Sequence, residues 1–272
     1  MASIVILEHR FQASLRRRYL AHSLAVFWRE RGHRVVVHAG RENLPAADLA
    51  LLHVDLTVVP EPYRQLLDSY PRVLNAAVLD VSKRRISRQL VTGPDDAWHG
   101  PVVVKTDANY GGLPEQSLRR SAGEAGVRTA IPDAIALEDY PVFPDAHAVP
   151  SRVWSMPELV VERFLPERDS RGFYMRHWTF LGDRERSNRY RAAVPIMKSS
   201  DIIDGEPVPV PDEIRAWRDR LGFDFGKFDY VVHDGRCVLL DVNRTPGSPD
   251  ALIAAERASF QSLADGIGAF LR

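Results

Sequence analysis

The 272-residue sequence holds a single cysteine, Cys237. An internal disulfide framework and a cysteine-only zinc site are therefore excluded. Cys237 sits in an apolar run and reads as buried packing rather than as a nucleophile. An excess of charge is also missing: 36 Lys+Arg face 36 Asp+Glu, for a formal net charge of zero. Such a balance speaks against binding to nucleic acid or to a membrane surface by bulk electrostatics. No apolar run approaches the roughly 18 residues that span a bilayer. The first apolar stretch, residues 4–7, is cut short by Glu8 and Arg10, unlike a secretory signal. There is no Walker A pattern, no internal repeat, and no obvious Ser-His-Asp or Cys-His set. With 45% hydrophobic and 26% charged residues, the composition is that of a globular protein, and the expected setting is the cytoplasm.

What is present alternates. Residues 3–7 form a short apolar strand. Residues 15–31 carry Leu15, Tyr19, Leu24, Phe27 and Trp28 at near-helical spacing, and Gly32 ends the predicted helix. The Arg16, Arg17, Arg18 run, with His9 and Arg10 nearby, reads as a solvated face. Strands are predicted at 35–37, over a region 48–59 closed by Pro60 and Pro62, and at 73–74, with a short helix at 63–69. This alternation predicts a small, mostly parallel sheet covered by helices. In the region 48–59, His53 and Asp55 alternate with apolar residues at a candidate strand end. They either line a substrate cleft there or make local hydrogen bonds. The middle differs. Residues 101–105 are an apolar run ending in Lys105, and the proline-rich stretch 114–157 predicts a mixed segment with long loops. Strands follow at 159–165, 174–180, 228–233 and 237–242, the last two joined by the turn signal Asp234-Gly235. Residues 251–271 have helical spacing.

Four groups of residues carry chemistry. In Asp241-Val242-Asn243, the outer two residues project to one face of a strand. Asp229 lies about as far from the turn on the preceding strand and can face them. Three hard oxygen side chains on one sheet face suit Mg²⁺, although exposed acids on an edge hairpin would read the same way. Val102-Val103-Val104-Lys105 leads into Asn109-Tyr110-Gly111-Gly112, where a glycine turn lets backbone approach phosphate oxygens and the lysine adds a point charge. Leu159-Val160-Val161-Glu162-Arg163-Phe164-Leu165 is an apolar strand able to hold a flat heteroaromatic ring. Lys83 opens a basic helix-like stretch.

In this order the motifs resemble the ATP-grasp superfamily, which includes D-alanine–D-alanine ligase, glutathione synthetase and the ribosomal-protein glutamate ligases. The resemblance spans residues 83–247, and Asp241-Val242-Asn243-Arg244-Thr245-Pro246-Gly247 is its most specific part. It implies an α/β (α+β) protein with the ATP-grasp fold. Residues 1–80 would form the preceding α/β domain. Residues 81–165 would form a shortened lid with the glycine loop and the adenine strand. Residues 166–272 would form a C-terminal antiparallel sheet with the metal site.

The resemblance also implies roles. Lys83 and Lys105 match the lysines that bind ATP phosphates, and Gly111 and Gly112 the loop that closes over them. Glu162, Arg163, Phe164 and Leu165 match the adenine strand, and Glu167 the acidic ribose ligand. Asp229, Asp241 and Asn243 match the ligands of Mg²⁺, with Mn²⁺ as a substitute; one of the two carboxylates is Asp where Glu is commoner. Lys227 falls where ligases often place an arginine that stabilises the transition state. From the segment before the metal hairpin, Arg176 and Arg191 are candidate catalytic groups, beside Arg189, and Lys198 is a candidate nucleotide ligand. The implied activity is ADP-forming ligation of a small-molecule or peptide carboxylate to an amine through an acylphosphate. A small-molecule kinase and a non-catalytic nucleotide-binding module stay open as alternatives. Oligomeric state is left open, a homodimer among the options.

Overall fold

The computed structural model of the chain describes residues 1–15, 19–128, 131 and 139–271. The expected Arg16–Arg18 surface run lies outside the described residues. Ile4, Val5, Ile6 and Leu7 are all buried, as expected of a strand covered on both faces. They lie in β1 (Ser3–Glu8), inside a parallel sheet with β2 (Arg34–Ala39), β3 (Leu49–Leu52) and β4 (Val73–Leu74) in the order β2-β1-β3-β4. Helix α1 (Leu20–Glu30) buries Leu20, Leu24, Phe27 and Trp28 against it. Short helices α2 (Glu61–Arg64) and α3 (Lys83–Ile86) follow.

Next come β5 (Val102–Thr106), α4 (Leu113–Glu124), β6 (Val142–Phe143), α5 (Ser151–Trp154) and β7 (Leu159–Arg163). The three strands form a small antiparallel sheet, β6-β5-β7. The third sheet is built from β8 (Glu167–Asp169), β9 (Gly172–Leu181), β10 (Arg184–Ala192), β11 (Asp204–Pro207), β12 (Phe225–His233) and β13 (Arg236–Asn243). Its order is β11-β10-β9-β12-β13, with β8 on β9, and every pairing is antiparallel. One face of this sheet, with Trp178, Phe180, Phe228 and Val242, packs on Ile214 and Trp217 of α6 (Asp212–Leu221). Its other face is polar and carries the site described below.

The chain closes with α7 (Asp250–Ala255) and α8 (Arg257–Asp265). Phe260, Leu263 and Ala264 of α8 join Leu181 and Phe225 in the core under α1. The Trp28 indole N–H donates to Ala264 O at 2.9 Å. The N-terminal sheet and the C-terminal sheet thus share one core. Among the described residues no helix is long and apolar enough to cross a membrane.

Three expectations need correction. The apolar run 48–59 is a strand only as far as Leu52, although Val54, Leu56 and Val59 remain buried. His53 N–H still reaches Leu7 O, and beyond it side chains take over part of the backbone bonding. The Gln12 amide oxygen accepts from Asp55 N–H, and the Arg244 guanidinium donates to the carbonyls of Val54, Leu56 and Thr57. The proline-rich stretch holds the twelve-residue α4, because Pro114 falls in the first turn, where no N–H is required. The closing helix is broken at Glu256, whose φ of −118° and ψ of 33° leave the helical region. Strand β10 and helix α6 carry too little apolar periodicity to be expected from sequence.

Candidate nucleotide and metal site

The hairpin β12–β13 pairs His233 with Arg236 and Tyr230 with Leu239. A regular ladder would next set Asp229 against Leu240 and Asp241 against Phe228, on the apolar face. A β-bulge between Asp229 and Tyr230 shifts the register by one, so that Asp229 faces Asp241 and Lys227 faces Asn243. The two carboxylates, the amide and the ammonium then share the polar face. His177 of β9 and Asn188 of β10 continue the Asp229 row across the sheet.

These groups are charge-matched. Lys227 Nζ is 3.0 Å from Asp229 Oδ1. Lys83, almost fully buried at the start of α3, donates to Asp241 Oδ1 at 2.8 Å. Lys105 Nζ is 2.7 Å from Glu162 Oε2. In the small sheet Val103 pairs with Glu162 and Lys105 with Val160, which puts Lys105 diagonally across from Glu162 on one face. Burial would lower the Lys83 ammonium, but Asp241 outweighs it and raises the pKa above the ordinary lysine range. Burial would likewise raise Asp229 and Glu162. Lys227 holds Asp229 down, and Lys105 holds Glu162 down. The His177 imidazole is pushed down to about 4 by burial and is neutral at physiological pH.

A cleft of about 210 Å³ runs between the two antiparallel sheets. Lys83, Lys105, Asp229 and Asp241 line it as polar groups. Phe164, Leu165, Met175, Ile196 and Leu240 line it as apolar ones. The bulge residue Leu240 is thus used twice, as the register shift and as cleft wall. Arg163 N–H and Phe164 N–H are taken by Gln89 O and Pro101 O. Leu165 N–H has no partner among the described residues. Tyr140, from the proline-rich stretch, also lines the cleft.

The turn before α4 stands in a left-handed conformation at three successive residues: Tyr110 (φ 48°), Gly111 (φ 66°) and Gly112 (φ 77°). Glycine accepts this without strain, which accounts for Gly111 and Gly112. The turn packs against β13 and does not line the cleft. It is held from the N-terminal side: Asn109 N–H donates to Thr57 Oγ1 at 2.7 Å, and Thr57 N–H donates to Glu115 Oε1 at 2.6 Å. Leu118 of α4 packs with Leu52, Val54, Leu56 and Tyr63. Asn243 Oδ1 accepts from Thr245 N–H at 2.8 Å. Thr245 Oγ1 in turn donates to Asp55 Oδ1 at 2.6 Å.

Four residues taken as ligands or catalysts lie elsewhere. Arg176 is adjacent to His177 on the strand and so points to the opposite face, where it and Arg189 hold Glu167. Glu167 also accepts from Val232 N–H, so its carboxylate is consumed by structure and is not offered to a ribose. Arg191 faces away as well and pairs with Asp204 on β11. Lys198 Nζ bonds Asp139 at 2.8 Å in an exposed pair, while its neighbours Ile196 and Met197 line the cleft. Strand parity decides the first three, and it could not be read without knowing where β9 and β10 pair. Sequence reasoning missed His177, Tyr140 and Arg244. The Arg244 guanidinium is fully buried, bonds only backbone carbonyls, and is pushed down to about 10 by burial.

His53 and Asp55 make local hydrogen bonds at the C-terminal ends of the parallel strands. His53 Nδ1 lies 3.2 Å from Glu8 Oε1, and Tyr19 donates to Asp55 Oδ2 at 2.7 Å.

The parallel sheet, the small antiparallel sheet and the larger antiparallel sheet, with a cleft between the last two, define the ATP-grasp fold. The chain is similar along its length to solved ATP-grasp structures. D-alanine–D-alanine ligase from Bacillus anthracis is 16% identical, with 100% of this chain and 98% of that chain covered and a TM-score of 0.54. A RimK-domain ATP-grasp protein from Sphaerobacter thermophilus is 14% identical, with 98% and 99% covered and a TM-score of 0.57. A RiPP-associated ATP-grasp ligase from Chryseobacterium gregarium, solved with ADP and a leader and core peptide, is 11% identical, with 97% and 96% covered and a TM-score of 0.57. At these identities the likeness is one of fold. No protein-family model matches the chain, and no curated protein matches it by sequence.

Proposed function

We propose that this protein is an ATP- and Mg²⁺-dependent, ADP-forming ligase that joins a carboxylate to an amine through an acylphosphate. The observation that carries the reading is the bulged register, which sets Asp229 against Asp241 and Lys227 against Asn243 at the polar end of a cleft whose remaining wall is apolar. In this reading residues 81–165 act as the lid, residues 166–272 carry the metal ligands, and residues 1–80 present the acceptor side. Phe164 and Leu165 sandwich the adenine, whose edge Leu165 N–H reads. Lys83 and Lys105 neutralise phosphate, and the turn at Gly111 and Gly112 closes over it.

The residues present fit a hard divalent cation. Asp229, Asp241 and Asn243 are all oxygen donors, and Asp229 Oδ1 is buried with the Lys227 ammonium against it, as an anionic oxygen able to exchange one cation for another. Among the described residues no cluster of three His, Cys, Asp or Glu side chains is arranged to hold a metal alone. Phosphate oxygens and water would therefore complete the shell. Bound there, Mg²⁺ or Mn²⁺ would withdraw charge from the transferring phosphoryl group. Lys227 is placed to stabilise the same charge, as a point charge rather than a planar fork. A carboxylate nucleophile comes from the substrate, so no side-chain nucleophile is required. Small-molecule or peptide carboxylates and amines are the substrate classes, in a cytoplasmic setting.

The test is a screen of amino acids and short peptides, paired as acid and amine, for nucleotide release. Substrate carrying ¹⁸O in its carboxylate should yield ADP, an amide and labelled inorganic phosphate. AMP with pyrophosphate would overturn the mechanism, and so would a stable phosphorylated product formed without an amine. Asp241→Asn should abolish turnover with the fold retained.

A further inference from the structure

Three lysines and three carboxylates in and beside the cleft are matched one to one: Lys83 with Asp241, Lys105 with Glu162 and Lys227 with Asp229. Two of these pairs sit on the residues read above as metal ligands. Lys83 Nζ occupies Asp241 Oδ1, which also accepts from Val242 N–H. Lys227 Nζ lies against Asp229 Oδ1. The third ligand is engaged as well, since Asn243 Oδ1 accepts from the backbone N–H of Thr245. In the nucleotide-free protein a divalent cation would meet two ammonium groups where it needs open carboxylate oxygens. It would also find only two carboxylates, too few hard ligands without phosphate.

We propose that Lys83 is a placeholder for the metal. In the nucleotide-free cleft its ammonium holds Asp241 and keeps Mg²⁺ out, and the phosphates of the nucleotide draw it off and open the metal site. The inference rests on the reading of the cleft as a metal–nucleotide site and adds the order in which that site fills. Nucleotide supplies both missing elements, a counter-anion for the displaced Lys83 and the oxygens that complete the shell. Metal alone supplies neither. By linkage, nucleotide must raise metal affinity by the same factor that metal raises nucleotide affinity. Lys83 sits at the start of α3, whose Lys83 N–H is fixed by Asp107 O. The switch is therefore a change of side-chain rotamer on a held backbone. Lys83 is nearly buried, so its released ammonium has no solvent route and must find an anion inside the cleft.

The experiment measures Mn²⁺ affinity of the full chain by electron paramagnetic resonance and calorimetry, with and without a non-hydrolysable ATP analogue. For the unaltered protein we expect metal affinity to rise at least about 100-fold when the analogue is saturating, at the upper end of the usual range of coupling. In Lys83→Met, which removes the charge and keeps the volume, metal affinity without nucleotide should rise about 10-fold. Analogue affinity should fall in the same variant. Asp241→Asn should weaken metal binding in every state. Equal Mn²⁺ affinity with and without the analogue in the unaltered protein overturns the proposal. It leaves the metal site standing if Asp241→Asn still abolishes binding. An unchanged metal affinity in folded Lys83→Met also overturns it. Failure to bind Mn²⁺ even with the analogue overturns the metal site itself, and with it this inference. The unaltered protein alone decides the first comparison, so the result does not depend on how the variants fold.

Discussion

Lys105 and Glu162 carry opposite charges in a place with almost no water: their side chains are 12% and 4% exposed. Removing one partner leaves the other charge buried and unpaired, which costs about 3–5 kcal/mol. Lys105→Met should therefore lower unfolding stability by that amount, and the double variant Lys105→Met, Glu162→Gln should recover most of it. Nucleotide binding should separate from stability in the same pair of proteins. Both should lose ATP affinity by roughly 10–100-fold, the worth of a charged hydrogen bond to phosphate. Adenosine should bind the double variant as it binds the unaltered protein. Calorimetry showing unchanged ATP affinity in the double variant would remove Lys105 from the phosphate site. An exposed pair such as Lys198–Asp139 carries no comparable weight, since solvent screens it to about 0–1 kcal/mol. The lysines and acids of the cleft were legible as residues because charged groups at the ends of apolar strands stand out. Arg176, Arg191 and Glu167 stood out equally, but one-residue parity on β8, β9 and β10 turned them to the other face.

At the scale of elements, the end of β13 is tied to the segment after β3 by Arg244. Its guanidinium bonds carbonyls of Val54, Leu56, Thr57 and Val78. Two of these acceptors have other donors: Leu56 N–H reaches Val54 O, and Val81 N–H reaches Thr57 O. Leu56 O and Val78 O depend on Arg244, and orphaning a buried acceptor costs about 1–3 kcal/mol. Arg244→Met should thus destabilise the protein by about 2–4 kcal/mol in urea unfolding. Arg244→Lys should fall between, because one ammonium reaches fewer carbonyls. A loss below about 0.5 kcal/mol would mean that water or a backbone shift replaces the guanidinium. The same tie links the β12–β13 hairpin to Thr57, and Thr57 holds the glycine turn. Sequence patterning showed β1, β5, β7 and the β12–β13 hairpin, whose apolar runs are strong. It missed β10, whose arginines and Asn188 face the polar side or pair across strands, and α4, whose proline reads as a breaker unless its place in the first turn is known.

For the molecule as a whole, acid is the expected weakness. His9 is buried, and burial pushes its imidazole from 6.5 down to about 4. Between those values the unfolded chain binds a proton that the folded protein refuses, so stability falls as pH drops from about 6.5 to about 4, by on the order of 3 kcal/mol. Glu8 adds a second, lower window. Burial would raise it, but hydrogen bonds from His22 and His53 outweigh burial and hold it at about 2 instead of 4.5. Its contribution is present above 4.5 and is lost as pH falls toward 2. Urea midpoints across this range should decline in two stages. His177, pushed down to about 4 as well, adds to the same stage, so His9→Asn should reduce the upper stage by about half and leave the lower one, and a slope unchanged by His9→Asn would refute the assignment.

The strength and spacing of the apolar runs determined by themselves that this is a mixed α/β chain, because each rests on local chemistry that neighbours cannot cancel, and the order of motifs carried the resemblance to the ATP-grasp superfamily. The candidate site needed more. A count from the turn allows Asp229 and Asp241 to meet, but a regular hairpin would have put Asp241 opposite Phe228 in the apolar layer. Only the bulge at Leu240, with β9 paired to β12 and α6 packed on the opposite face, decided that Asp241 faces Asp229. The pairing of each cleft lysine with one acid was likewise invisible in the chain, because Lys83 and Asp241 are 158 residues apart and only folding brings their charges within reach.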